Sequence, residues 1–142
     1  INYTQIPPPR CQFTFLKKHK KEITTYAFIK GDIKMKCKIN NKEIGIKKAT
    51  GFKMRLFGLM GKKDIHYGIL FPRCNAIHTF FMKENIDVIG LNDKNQVIYI
   101  YRNVPKNKIV KISEDAKKTS ILELPKNTSQ KIYVGSILKF ED

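Results

Sequence analysis

No stretch of the 142-residue chain approaches the run of about twenty apolar residues that crosses a bilayer as a helix. No transmembrane helix is expected. Cysteine is scarce and odd in number, with Cys11, Cys37 and Cys74. Such a set does not make a disulfide framework and argues for a reducing compartment, the cytoplasm. Acidic residues are few, 12 against 28 basic ones, for a formal net charge of +16 at pH 7. That charge points first to nucleic acid or an anionic membrane. Arginine is scarce as well: only Arg10, Arg55, Arg73 and Arg102 are not lysine among the basic residues. Phosphate-reading surfaces lean on arginine forks, and AT-rich codons alone enrich Lys, Ile and Asn. A nucleic-acid partner stays open as the alternative but is not preferred.

Catalytic signatures are missing too. There is no G-x-S-x-G, H-E-x-x-H, Walker loop or C-x-x-C. His66 and His78 are candidate bases with no identifiable nucleophile. No reaction and no cofactor are expected, and a hydrolase or metal protein of unknown class is the second alternative. The chain after Met35 has no internal repeat and no low-complexity linker. Its length suits one domain with a core of its own.

The first 34 residues fit poorly with the rest. They carry Pro7 to Pro9 and the basic cluster Lys17-Lys18-His19-Lys20-Lys21, without a basic-then-apolar signal pattern. Lys30 to Met35 back-translates to AAA GGA GAT ATT AAA ATG, a ribosome-binding sequence roughly eight nucleotides before a start codon. Residues 1–34 are therefore expected to be a translated upstream leader, or otherwise a disordered extension. Residues 35–142 are expected to form the domain.

That domain reads as β-rich, organised around His78 to Asn103. Ile86 to Leu91 and Val97 to Tyr101 are apolar and β-branched, and Asn92 to Gln96 between them is turn chemistry. The pair predicts a hairpin with Asp93 to Asn95 as its exposed tip. Neither run alternates cleanly, which predicts cover on both faces. Ile77 to Met82 reads as another strand. Lys36 to Ile46 reads as a hairpin about Asn40-Asn41, and Tyr67 to Phe71 as a strand stopped by Pro72. Thr50 caps a short predicted helix with Phe52, Leu56, Leu59 and Met60 on one face and Gly61 at its end. Weaker strands follow over Ile109 to Ile112, Ser120 to Leu124 and Ile137 to Phe140. A helical turn is read from Asn127 or Thr128 through Lys131.

Several short blocks in fixed order carry a resemblance. They are Gly58-Leu59-Met60, Gly68 to Pro72, Phe81-Met82-Lys83, Ile86-Asp87, Leu122-Glu123-Leu124 and Val134-Gly135. Together they resemble the uncharacterised DUF192 family, over about Lys36 to Phe140. The stretch Arg73 to Met82 is similar to its clostridial and other Firmicute members. Glu84 after Lys83 departs from the common Met-Lys-Asn-Thr pattern. The resemblance implies a compact, mostly antiparallel β-sandwich or barrel-like domain with one or two short helices. It implies no reaction. The resulting expectation is a small binding or accessory module whose partner is an unknown small ligand or protein.

Two constellations have local chemistry. Cys74, His78 and Met82 are soft metal ligands, but on a strand each gap of four spans about 13 Å. A small apolar cysteine, a hydrogen-bonded histidine and a core methionine are preferred, with no metal site. Asp87 lies inside an apolar run, where a carboxylate needs a cation or several donors. Arg55 is the favoured partner for its planar fork, with Lys83 as the other candidate. Arg55, His78, Lys83 and Asp87 are accordingly the candidate ligand-binding residues. The aromatics Phe80, Phe81, Tyr99 and Tyr101 are expected to be core rather than a base-stacking platform.

Overall fold

The computed structural model describes residues 35–39, 41–49 and 58–142. The strands are β1 Met35–Ile39, β2 Lys42–Lys48, β3 Tyr67–Phe71, β4 Ala76–His78, β5 Ile86–Asn92, β6 Val97–Val104, β7 Ile109–Lys111, β8 Thr119–Pro125 and β9 Phe140–Glu141. Seven form one sheet in the order β6-β5-β8-β3-β2-β1-β9, and β4 pairs with β7 in a small second sheet. The expected β-rich sandwich is present. The large sheet is open, with β6 and β9 at its ends, so it is not a closed barrel. It is also mixed, because β2 and β3 run parallel.

Period-two burial explains why the central strands look apolar throughout. Side chains alternate across a strand, and both faces of β5, β8 and β3 are covered. Ile69, Phe71, Ile86, Val88 and Ile121 join Leu59 and Ile77 in one apolar layer. Leu70, Ile89, Leu91, Leu122 and Leu124 join Ile46, Ile132 and Leu138 in the other. Each such side chain contributes about 1.5–3 kcal/mol of transfer free energy when fully buried. Gly90 shows how tightly the first layer packs. A Cβ there would sit 2.7 Å from Ile112 Cδ1 and 2.9 Å from Tyr99 Cβ.

Three expectations are corrected, and a fourth lies mostly outside the described residues. The predicted strand Ile77 to Met82 ends at His78. Thr79 turns the chain, since Met82 N–H donates to Thr79 O at 3.3 Å and Phe81 takes a φ of 62°. Strand β6 is not covered on both faces but is a half-exposed edge strand. The segment from Asn127 to Lys131 forms two turns in place of one helical turn, the second closed by Ile132 N–H donating to Ser129 O at 3.0 Å. Most of the expected helix from Thr50, Arg55 included, lies outside the described residues, and Gly58–Gly61 is a turn. Among the described residues the one helical element is a 3₁₀ turn, Ala116–Lys118. Its start is capped by the Asp115 carboxylate, which accepts from Lys117 N–H at 2.9 Å. The leader proposed for residues 1–34 also lies outside the described residues.

The hairpin tip stands where the turn residues place it. Asn92 Oδ1 accepts from Lys94 N–H (2.9 Å) and Gln96 N–H (3.0 Å), and Asp93, Lys94 and Asn95 are exposed. A short Gly/Ser insertion between Asp93 and Lys94 is expected to cost about 1 kcal/mol, the loop-length term plus one exposed hydrogen bond. Urea denaturation measures it. A loss several times larger would mean that the tip is a structural contact. Leu138 N–H, which donates to Asn95 O at 2.9 Å, is the contact to suspect in that case.

Candidate functional site

Asp87 points into the second apolar layer and is 1% exposed. Its carboxylate is met by donors. Asn103 N–H reaches Oδ1 at 2.8 Å, and Thr128 N–H, Ser129 N–H and Ser129 Oγ–H reach Oδ2 at 3.3, 3.1 and 2.6 Å. These donors come from an irregularity in the β5–β6 register and from the turn after β8. Asp87 thus ties the C-terminal segment to the hairpin. Arg102 reinforces the tie, donating to Ser129 O and, at 2.6 Å, to Ile132 O. Lys83 is exposed. The ion pairs among the described residues are Lys36–Glu43 and Lys111–Glu114, so Lys83 does not supply the cation for Asp87. The Arg55 half of the expectation lies outside the described residues.

His78 is half-buried. Burial lowers its pKa, its ring stacks on Phe80 at 5.0 Å, and Nδ1 accepts from Phe80 N–H at 3.2 Å. Met82 and Cys74 are buried. Cys37 is a free buried thiol. No group of three His, Cys, Asp or Glu among the described residues is placed to hold a metal. Likewise no helix among them is long and apolar enough to cross a membrane.

Beside His78 three loops converge. Gly61 N–H donates to Phe81 O at 3.1 Å, and Asn107 N–H to Thr79 O at 3.2 Å. Thr79 Oγ–H donates to Pro105 O (2.8 Å) and its oxygen accepts from Lys108 N–H (2.9 Å). These bonds bring together the exposed Lys62, Lys63, Lys83, Lys106 and Lys108. The acids in the same loops are Asp64 and Glu84, and Glu84 is occupied by Asp64 N–H at 3.0 Å. Phe81 sits within this lysine ring, 56% exposed, with Ile109, 55% exposed, opposite His78 on β7. A left-handed backbone costs a bulky L-residue about 1–2 kcal/mol. The left-handed turn at Phe81 leaves its side chain exposed while Phe80, its neighbour, is core. Tyr99 and Tyr101 pack partly buried against the first layer. The expectation that the aromatics are core therefore holds for Phe80, Tyr99 and Tyr101 and fails for Phe81. Sequence reasoning singled out Lys83 alone, because the other four lysines lie far from it along the chain.

A second feature, Glu123, was given no role in the sequence reading. Glu123 is 4% exposed in the first apolar layer, across from Ile69 and Val88. Leu59 donates a backbone hydrogen bond to it, and Oε2 has no partner. Burial raises its pKa to about 8 against the weaker lowering by Leu59, so the carboxyl is mostly neutral at pH 7. Gly58, at φ 52°, lets the turn close over it. A Cβ there would lie 3.1 Å from Oε2 and 3.0 Å from Phe71 Cζ. The close approach of Gly58 makes Glu123 read as a seat for the Gly58-Leu59 turn. The signal in the sequence was a Glu between two leucines of a buried strand.

Two solved structures share the fold. One is a protein of unknown function from Novosphingobium aromaticivorans, with a TM-score of 0.56 and 14% identity, covering 76% of this chain and 83% of the other. The second is a putative transcription regulator from Sinorhizobium meliloti, with a TM-score of 0.55 and 15% identity, covering 75% of this chain and 90% of the other. No curated protein matches the chain. Residues 35–140 match DUF192, described as an uncharacterised ACR, and with that match spanning most of its length the chain belongs to the DUF192 family.

Proposed function

We propose that this chain is a non-catalytic binding module that docks on an anionic bilayer surface through the lysine ring around Phe81. The observation that carries this reading is the outward Phe81 ring, set in left-handed backbone among Lys62, Lys63, Lys83, Lys106 and Lys108. Lysines near an anionic surface contribute about 1 kcal/mol each. An aromatic ring and Ile109 can enter the headgroup–acyl boundary. Lysine is a compact point charge without a bidentate fork, which suits a diffuse field of headgroups better than the reading of a nucleic acid. We place the protein in the cytoplasm, where the facing leaflet is negative. We also retain a domain start at Met35, where the family match begins, and the likeness of Arg73 to Met82 to clostridial members. Of the four ligand-binding candidates, Lys83 belongs to the ring and His78 borders it. Asp87 is engaged in holding the C-terminal segment, and Arg55 would have to be tested by substitution.

Co-sedimentation tests the reading with phosphatidylcholine vesicles carrying phosphatidylglycerol, against pure phosphatidylcholine. Binding is expected only to the anionic vesicles, and it should fall as salt rises. Phe81→Asn, which suits left-handed backbone, should keep the fold and weaken binding about tenfold or more, the worth of one buried aromatic. The structure from Sinorhizobium meliloti makes single- and double-stranded DNA the natural competitors. Equal binding to neutral vesicles would sink the proposal. So would DNA that displaces the vesicles and binds Phe81→Asn as well as the parent.

A further inference from the structure

The six exposed large apolar side chains of the described residues fall into two groups. Phe81 and Ile109 belong to the lysine ring. The other four, Ile98, Tyr133, Val134 and Ile137, gather at the start of β6. The grouping follows from the backbone. Val97 N–H donates to Ser136 O at 2.7 Å, Gly135 N–H donates to Val97 O at 2.8 Å, and Gln96 bridges Ile137. The turn Tyr133–Ser136 is thereby held against the start of β6, and its apolar side chains project beside Ile98. Beyond Val97 the outer edge of β6 has no strand beside it among the described residues.

An open edge is a row of main-chain donors and acceptors ready for another strand. Natural edges are commonly blunted by lysine or proline, and the run Ile98 to Tyr101 contains neither. We propose that this edge takes up an extended acidic segment of a partner protein as an added strand, with its apolar side chains against Ile98, Val134 and Ile137. The acidic character follows from the charges at the two ends of the edge. Lys94 lies at the hairpin tip, with Lys139 near it through the Leu138 N–H bond to Asn95 O, and Arg102 and Lys131 lie at the other end; Asp93 is the acid among them. A second copy of the chain is the weaker occupant, because it would bring another formal charge of +16. Strand addition draws affinity from main-chain bonds and specificity from alternate side chains. The site shares no residue with the lysine ring, so either can fail alone.

Fluorescence anisotropy with a labelled peptide of alternating Glu and Val, matched in length to β6, tests the proposal without any vesicle present. Saturable binding is expected. N-methylation of alternate peptide bonds should weaken it at least about tenfold, since it removes donors from one edge of the added strand. The Lys/Val counterpart should bind far more weakly. The triple variant Ile98→Ser, Val134→Ser, Ile137→Ser should lose binding while keeping the parent melting temperature, because all three side chains are exposed. Equal binding of the N-methylated peptide would overturn strand addition. Equal binding of the Lys/Val peptide would overturn the acidic class. Concentration-dependent dimers abolished by the triple variant would assign the edge to a second copy and overturn the proposal.

Discussion

Replacing Asp87 by Ala is expected to lower the unfolding free energy by about 3–5 kcal/mol, among the largest effects of any single change in this fold. The loss arises less from the carboxylate itself than from the groups it leaves behind. Three main-chain N–H groups and one hydroxyl converge on it. Ser129 is fully buried, so water cannot replace the lost acceptor without opening the turn. An unsatisfied buried donor costs about 1–3 kcal/mol, and several are stranded at once. Asp87→Asn should retain Oδ1 for Asn103 but put an amide nitrogen where Ser129 donates, for an intermediate loss of about 2 kcal/mol. Urea denaturation gives the magnitudes. Hydrogen exchange at Ile132 and Leu138 gives the location, since the segment fastened by Asp87 and Arg102 should open first. A loss below about 1 kcal/mol for Asp87→Ala would show that these bonds are not made in solution.

The Asp87 network also marks where the sequence was readable and where it was not. A carboxylate inside Ile86 to Leu91 announces a buried group needing partners, and that much is visible in one dimension. Which partners arrive depends on Ser129, more than forty residues away. The strands β1, β2, β3, β5 and β8 were legible because apolar runs ended by Asn, Pro or Asp fix them locally. The strand predicted through Met82 failed for a nonlocal reason. Thr79 is held by Pro105, Asn107 and Lys108, and those bonds outweigh the β-propensity of Phe80-Phe81. The lysine ring was hidden for the same reason, since its members come from three separate loops. Lysine in a loop is unremarkable until hydrogen bonds set it beside another.

Glu123 gives the second large effect, and it is read as a pH dependence of stability. Its pKa rises from an ordinary 4.5 to about 8 in the fold. Below about pH 4.5 the carboxyl is protonated whether the chain is folded or not, and the fold has its full contribution. Between these values the folded chain holds a proton that the unfolded chain has released. Unfolding therefore releases a proton and becomes easier as pH rises, by up to about 1.4 kcal/mol per pH unit. The loss is complete once pH passes about 8 and amounts to about 5 kcal/mol. His78 acts in the opposite sense near its ordinary 6.5, because burial lowers its pKa. The Cys37 thiol, pushed up to about 11, begins to oppose folding only above its ordinary 9.0. Comparison with Glu123→Gln cancels both. The glutamine keeps an acceptor for Leu59 and cannot ionise, so its stability should not fall on account of this site between about pH 5 and pH 8. At the acid end the two proteins should be similar, and near pH 8 the variant should be the more stable by several kcal/mol. Parallel profiles for the two would mean that Glu123 ionises in the fold as freely as it does unfolded, and that the seat beneath Gly58 is open to water.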